Sequence, residues 1–292
     1  MFNVLIRWSI PLAALFIFGP IAWHFTHALH TDDGGGQTSL LLNSSISQAM
    51  LAAIIALVLA LAIGVVGARY IEQRSGLLAA GFVLTWAACG MGRADRIIAH
   101  AQSPSVLYSL AIENAVLAIP AILIAFLILR VPTRVPMFIA ASDATRDLAA
   151  KSHHEPTAIR DYSAIPALIF AAIGAGIGAW LIARDSLKGQ TLAAVAVGGI
   201  LAAAAGRLAS QRINPVVFFL GLMLIGIAGP ILATFIHPST IGPARAAIAG
   251  TLFPLARPMP FDWLAGGFVG IPFGLWWAGS LLEKHDPGTE RR

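Results

Sequence analysis

Eight stretches of mostly apolar residues alternate with shorter polar segments along the chain. They fall at roughly 7–30, 47–69, 76–99, 106–130, 163–183, 190–210, 214–236 and 261–282. About 20 apolar residues in a helix cross the hydrocarbon core of a bilayer, so each stretch predicts a membrane span. The expected fold is all-α, a polytopic transmembrane helix bundle of about eight spans. The longest polar stretch, 131–162, predicts a cytoplasmic linker. It separates a first membrane half, residues 1–130, from a second, residues 163–292. Within the linker, Ser142 to Lys151 predicts a short surface helix, and His153-His154 beside Glu155 reads as a solvated pair. Residues 237–260 predict an outer loop rich in proline, whose apolar run 244–255 is too short to span. That run fits a re-entrant segment or a loop lying on the surface.

Composition narrows the class. Hydrophobic residues make up 58% of the 292 and charged residues 11%, against about 25% charged in soluble domains. A water-soluble globule is excluded. Loop charges set the orientation. With the N-terminus inside, 13 of the 19 basic residues fall inside and six outside: Arg93, Arg96, Arg184, Lys188, Arg245 and Arg257. That bias predicts N-in and C-in, in a bacterial inner (plasma) membrane. The weak cleavage site after residue 26 predicts a first helix that is retained. No basic run with interleaved aromatics is present, so nucleic acid is excluded as a partner despite the net charge of +5. The single cysteine, Cys89, excludes an intramolecular disulfide and, in its apolar run, predicts an inert buried thiol. Trp8, Trp23, Trp180, Trp263, Trp276 and Trp277 fall toward span ends, as an interfacial belt would place them.

An internal repeat is suggested by matched positions. Gly64, Gly92-Arg93, Pro104 and Pro120 precede Gly174, Gly206-Arg207, Pro215 and Pro230 at offsets of 110, 114, 111 and 110. The match predicts two inverted three-helix units, spans two to four and five to seven. Helix breaks at Pro120 and Pro230 would be matching interruptions of the transporter type. Small residues recur every four positions at Gly266, Gly270 and Gly274, at Gly198, Ala202 and Gly206, and at Gly174 and Gly178. Such stripes predict close helix contacts, within the bundle or, along the last helix, in a homo-oligomer.

Few polar side chains fall within the spans. Glu113 lies about seven residues into the fourth span, roughly 10 Å deep, where a carboxylate is costly unless paired, protonated or hydrated. Arg93 is its expected partner. The two residues flank the turn near Ser103 by ten residues each, which predicts similar depth in a hairpin. Arg96 and His100 share a face with Arg93, and Asp95 is expected to point elsewhere. Asn114, Arg96 and Tyr108 complete the expected binding set. His24, His27 and His30 share an arc at the end of span one, with Asp32 and Asp33 following, and are the candidate metal ligands. No other cofactor is expected. No Walker loop, His-Glu-x-x-His run or Gly-x-Ser-x-Gly elbow is present.

Gly92-Arg93, then Ser103-Pro104-Ser105-Val106-Leu107-Tyr108 and Glu113, resembles the prolipoprotein diacylglyceryl transferases over about 40 residues. That family has a Gly-Arg motif before His-Pro-Ser-Gln-Leu-Tyr-Glu, with a further Glu five residues after the tyrosine. Position 103 is Ser where the family has His, and position 109 is Ser where it has Glu. The family's His-Gly-Gly signature is missing. The resemblance implies a lipid-modifying transferase in which Arg93 and Tyr108 bind a lipid headgroup. Three functions therefore follow from the sequence. The first is a permease for a small solute or ion with its polar site near the outer face. The second is a non-catalytic membrane subunit or scaffold. The third is a lipid-modifying transferase or an outer-face metal protein.

Overall fold

A computed structural model of the chain describes residues 2–30, 38–101, 103–133, 164–210 and 213–283. Among these residues the regular structure is helical, and eight helical spans are long and apolar enough to cross a membrane. The chain is an integral, multi-pass membrane protein. The linker with Ser142–Lys151 and His153-His154, like Asp32 and Asp33, lies outside the described residues.

Span one is built from α1 (Phe2–Ala13), a π-helical turn (Ala14–Phe18) and α2 (Gly19–His27). Pro20 lacks an amide hydrogen, and the wider turn re-satisfies the backbone ahead of it. The following elements are α3 (Ile46–Tyr70), α4 (Gln73–Cys89), the short α5 (Ala94–Ala99) and α6 (Ser105–Arg130). Then come α7 (Ala164–Ile182), α8 (Lys188–Ala209), α9 (Val216–Ile236), the short α10 (Gly242–Ile248), a 3₁₀ turn (Pro254–Ala256) and α11 (Pro260–Glu283). Among the described residues, the upper end of the bundle carries 28–30, 38–45, 90–101, 103–104, 183–187 and 237–259. Both ends of the described chain lie at the lower end.

Two three-helix units are arranged alike. In the first, α3 and α4 form the main hairpin and α6 lies chiefly against α3; in the second, α7 and α8 form the hairpin and α9 lies chiefly against α7. The third helices, α6 and α9, meet each other, and α11 sits between the units against α4, α8, α6 and α9. Corresponding helices run in opposite directions, α3 down and α7 up.

Small residues make these contacts. A Cβ on Gly76 would lie 2.4 Å from the Gly64 carbonyl oxygen, and one on Gly174 would lie 2.6 Å from that of Leu201. The last-helix stripe is spent inside the bundle: Gly266 meets Val195, Gly270 meets Ala196 and Gly274 meets Ile200, all on α8. All three glycines are thus covered by α8 of the same chain. Side chains such as Ile112, Ile119 and Leu123 on α6 are exposed while Leu117, Ala121 and Ile124 are buried. This is the pattern of a helix with one face to lipid.

Four expectations change. Pro120 and Pro230 lie inside unbroken helices. Each removes one N–H bond, a loss that neighbouring helices make tolerable within a membrane. The real discontinuity is at Gly90–Arg93, between α4 and α5, where a Cβ on Gly90 would collide with Thr26. Trp263 is fully buried rather than in the belt, with its indole over Gly226. Cys89 is exposed rather than buried.

The upper end has its own small core. Ala94, Ile98, Leu107, Leu110, Ala233, Ala247, Leu252, Ala256 and Met259 form a second apolar cluster, in which α5 packs on α10. The 244–255 run is thus a short helix and a buried turn capping the bundle. Gly250, at φ 69°, ends α10 in the left-handed conformation, and the Thr251 amide bonds back to the Ala246 carbonyl, closing a Schellman turn. Arg257 ties this cap down. It donates to the carbonyls of Leu252 (2.9 Å), Gly250 (2.9 Å) and Arg184. Burial pulls its guanidinium below the ordinary value; Asp185 opposes the shift, Arg184 adds to it and Asp95 opposes it.

Candidate functional site

Glu113 faces inward because α6 presents it beside Leu110, Asn114 and Leu117, three, one and four residues away on the buried face. It is 1% exposed and, eight residues below the start of α6, lies about 12 Å along the helix. Its receptor is the loop after span one. Thr38, Ser39 and Leu40 are buried to 2% exposure or less, and Glu113 Oε2 accepts the Leu41 amide at 3.1 Å. The Ser39 hydroxyl and the Leu40 amide lie beside the carboxylate without a hydrogen bond to its second oxygen. The same loop closes on the helix break, where the Gly92 amide donates to the Thr38 carbonyl at 3.2 Å. The other carboxylate oxygen, Oε1, has no hydrogen-bond partner in the protein, nor do Ser39 Oγ and Asn114 Oδ1. Asn114 instead donates to the Leu110 carbonyl at 3.0 Å. Buried polar atoms are nearly always paired, so three orphans on adjoining residues mark this place.

A second buried acid sits at the start of α11. Asp262, fully buried in the first turn of α11, accepts Lys188 Nζ at 3.1 Å on one oxygen and the Met259 amide at 2.8 Å on the other. Lys188 opens α8. Neither Lys188 nor Asp262 was singled out from sequence, although Asp262 is the one charged residue between Pro260 and Leu281. That isolation was the available signal.

Arg93 does not pair with Glu113. Its guanidinium grips Asp95 (3.1 and 2.5 Å) and lies 3.9 Å from Asp185. Asp95 is therefore its partner, where the sequence reading had it pointing away. The reason is the break at Gly90–Arg93: α5 turns aside to α10, so distance along the chain no longer measures depth. Half-exposed pairs of this kind contribute little to stability, about 0–1 kcal/mol. They organise the cap above the site.

The remaining candidates disperse. Arg96 and His100 are exposed, the latter bonded to the Arg96 carbonyl at 2.8 Å. Tyr108 is 48% exposed, and its hydroxyl meets Thr234 on α9 at 3.4 Å. Arg93 and Tyr108, the two residues the transferase resemblance assigns to a headgroup, thus take different partners, Asp95 and Thr234. His24, His27 and His30 are all exposed. His27 stacks on Trp23 and His24 meets the Phe25 edge. No group of three metal-ligating side chains occurs among the described residues. Comparison with protein-family models, curated proteins and solved structures finds no match.

Proposed function

We propose that this protein is a permease for a small cation, resident in a bacterial inner membrane, with Glu113 as the ion-binding carboxylate. One observation carries the reading: a buried acid whose second oxygen has no protein partner. A structural carboxylate would normally have both oxygens satisfied, because burying a charge costs heavily unless it is paired and hydrogen-bonded. Membrane carboxylates of this kind mark ion pathways and proton relays. Three features support the reading. The helix break beside the site resembles the discontinuous helices of transporters. The buried loop Thr38–Leu41 closes the site from the upper end. The two inverted three-helix units meet around α11.

The decisive experiment is flux. Purified protein in vesicles with an imposed sodium or proton gradient is expected to move cations, and Glu113→Gln to abolish that movement while the protein stays folded. Equal flux in the two proteins would remove Glu113 from the path. The scaffold reading has the glycine-lined helix contacts in its favour, and absence of flux in the wild type across cations and pH would favour it.

A further inference from the structure

We infer, resting on the permease reading, that the ion is a dehydrated alkali cation held by three side-chain oxygens: Oε1 of Glu113, Oγ of Ser39 and Oδ1 of Asn114. The permease reading names only the carboxylate; Ser39 and Asn114 are added here as ligands, together with the class of ion.

All three oxygens are buried and lack a protein partner. Glu113 is anchored through Oε2, which accepts the Leu41 amide at 3.1 Å, so that Oε1 is the free end. Asn114 donates through Nδ2 to the Leu110 carbonyl at 3.0 Å. That bond fixes which way the amide points and leaves Oδ1 as its free end. Glu113 and Asn114 are chain neighbours on the buried side of α6. Ser39 stands two residues before Leu41, on the segment that the Glu113 bond holds against α6, and its hydroxyl lies beside the carboxylate. A hydroxyl keeps lone pairs for a cation whichever way its proton turns. One junction of loop and helix thus collects three acceptors that nothing in the protein satisfies, where buried polar atoms are otherwise nearly always paired.

Ligand type and charge select the ion. Carboxylate, carbonyl and hydroxyl oxygens suit hard cations rather than metals that seek thiolate or imidazole. The three groups carry one negative charge among them. An alkali cation neutralises it, whereas a divalent ion would leave a positive charge buried, which costs heavily. A proton is the poorer match. It joins oxygens already in hydrogen-bond contact, yet the Ser39 hydroxyl, though a donor, bonds to neither of the other two oxygens. Ligands around a metal ion bond the ion and not one another. With two ligands on α6 and one on the loop, the bound ion ties the loop to the helix. The Gly92 amide already ties the same loop to the helix break, through the Thr38 carbonyl at 3.2 Å.

The test uses the full-length protein in detergent at fixed pH, with choline chloride holding the ionic strength. Binding heat and melting temperature are read as sodium, potassium or calcium chloride replaces it. The wild type is expected to bind sodium or potassium and to melt higher with it, as any ligand of the native state makes a protein do. Ser39→Ala and Asn114→Leu each remove one free oxygen and add no charge. Both are expected to weaken alkali binding about tenfold or more and to lose most of the melting shift. In choline, Ser39→Ala should melt at least as high as the wild type, because it deletes an unpaired buried polar atom. It therefore decides the matter alone if Asn114→Leu does not fold. No heat and no melting shift with either alkali cation in the wild type overturns the inference. So does alkali binding that Ser39→Ala leaves unchanged, or calcium binding tighter than both. Each of these leaves the permease reading standing if Glu113→Gln still stops flux; intact flux in Glu113→Gln defeats the reading itself.

Discussion

In the first three-helix unit the middle helix, α4, stops at Cys89, and the chain runs through Gly90, Met91 and Gly92 before α5 begins. In the second, the middle helix α8 continues through the corresponding Gly206-Arg207 to Ala209. The third helices differ in the same direction. Glu113 on α6 is a buried acid, while the position 110 residues later on α9 is Met223, buried and apolar. Helix contacts are nevertheless matched, with small residues closing both hairpins and both third helices meeting at the centre. Close contact between membrane helices thus tolerates wide change in what the helices carry. Polar groups enter where a helix break and a buried loop supply donors for them. The first unit has the Leu41 amide on its acid and the loop tied to the break through Gly92; among the described residues, no loop segment bonds to a side chain of α9 in the second unit.

The sharpest way to break this contrast is to put an acid into the unit that has no receptor for one. Met223→Glu is expected to destabilise the protein by on the order of 4 kcal/mol, since no donor awaits the carboxyl. A thermal melt in detergent checks this, and a near-native melting temperature would mean that α9 also has polar surroundings. Next in size are Gly76→Val and Gly174→Val, which probe whether the two hairpins are equally close. Both place a side chain on a facing carbonyl and should cost about 1–3 kcal/mol each. Gly189→Ala, with nothing within 4 Å of its Cβ, is the neutral control. A large loss in only one hairpin would end the equivalence. Smallest are the prolines. Pro120→Ala should change stability by about 0.5 kcal/mol or less, being half-exposed on α6. Pro230→Ala, buried beside the close contact of Gly229 with Leu255, should cost about 1 kcal/mol through lost contacts.

Much of the architecture was legible because hydrocarbon thickness imposes one length on every span. All eight predicted stretches overlap the observed helices within a few residues. Glu113 could be found because an isolated acid in an apolar run is conspicuous. Its partner could not. Counting ten residues either side of Ser103 assumes straight helices, and two glycines four residues or fewer before Arg93 end α4 early. The loop that does receive Glu113 is bound through backbone amides, which the side-chain pattern of a sequence does not display. Lys188 and Asp262 sit at helix ends, where charged residues are ordinary, and only folding brings them together across 74 positions. The glycine stripe on α11 was readable as a contact face, but the choice between a helix of the same chain and a second copy depends on where α8 lies.

The central claim is that the Glu113 carboxyl group takes the ion, and that its vibrations change when it does. Infrared difference spectroscopy of the purified protein, recorded with and without the transported cation, reads that change directly. In the wild type the Glu113 carboxyl bands should change on binding, with shifted carboxylate stretches for sodium or a gained protonated-carboxyl band for protons, and that change should be absent from Glu113→Gln. A difference spectrum with no carboxyl band, or one that persists unaltered in Glu113→Gln, would contradict it.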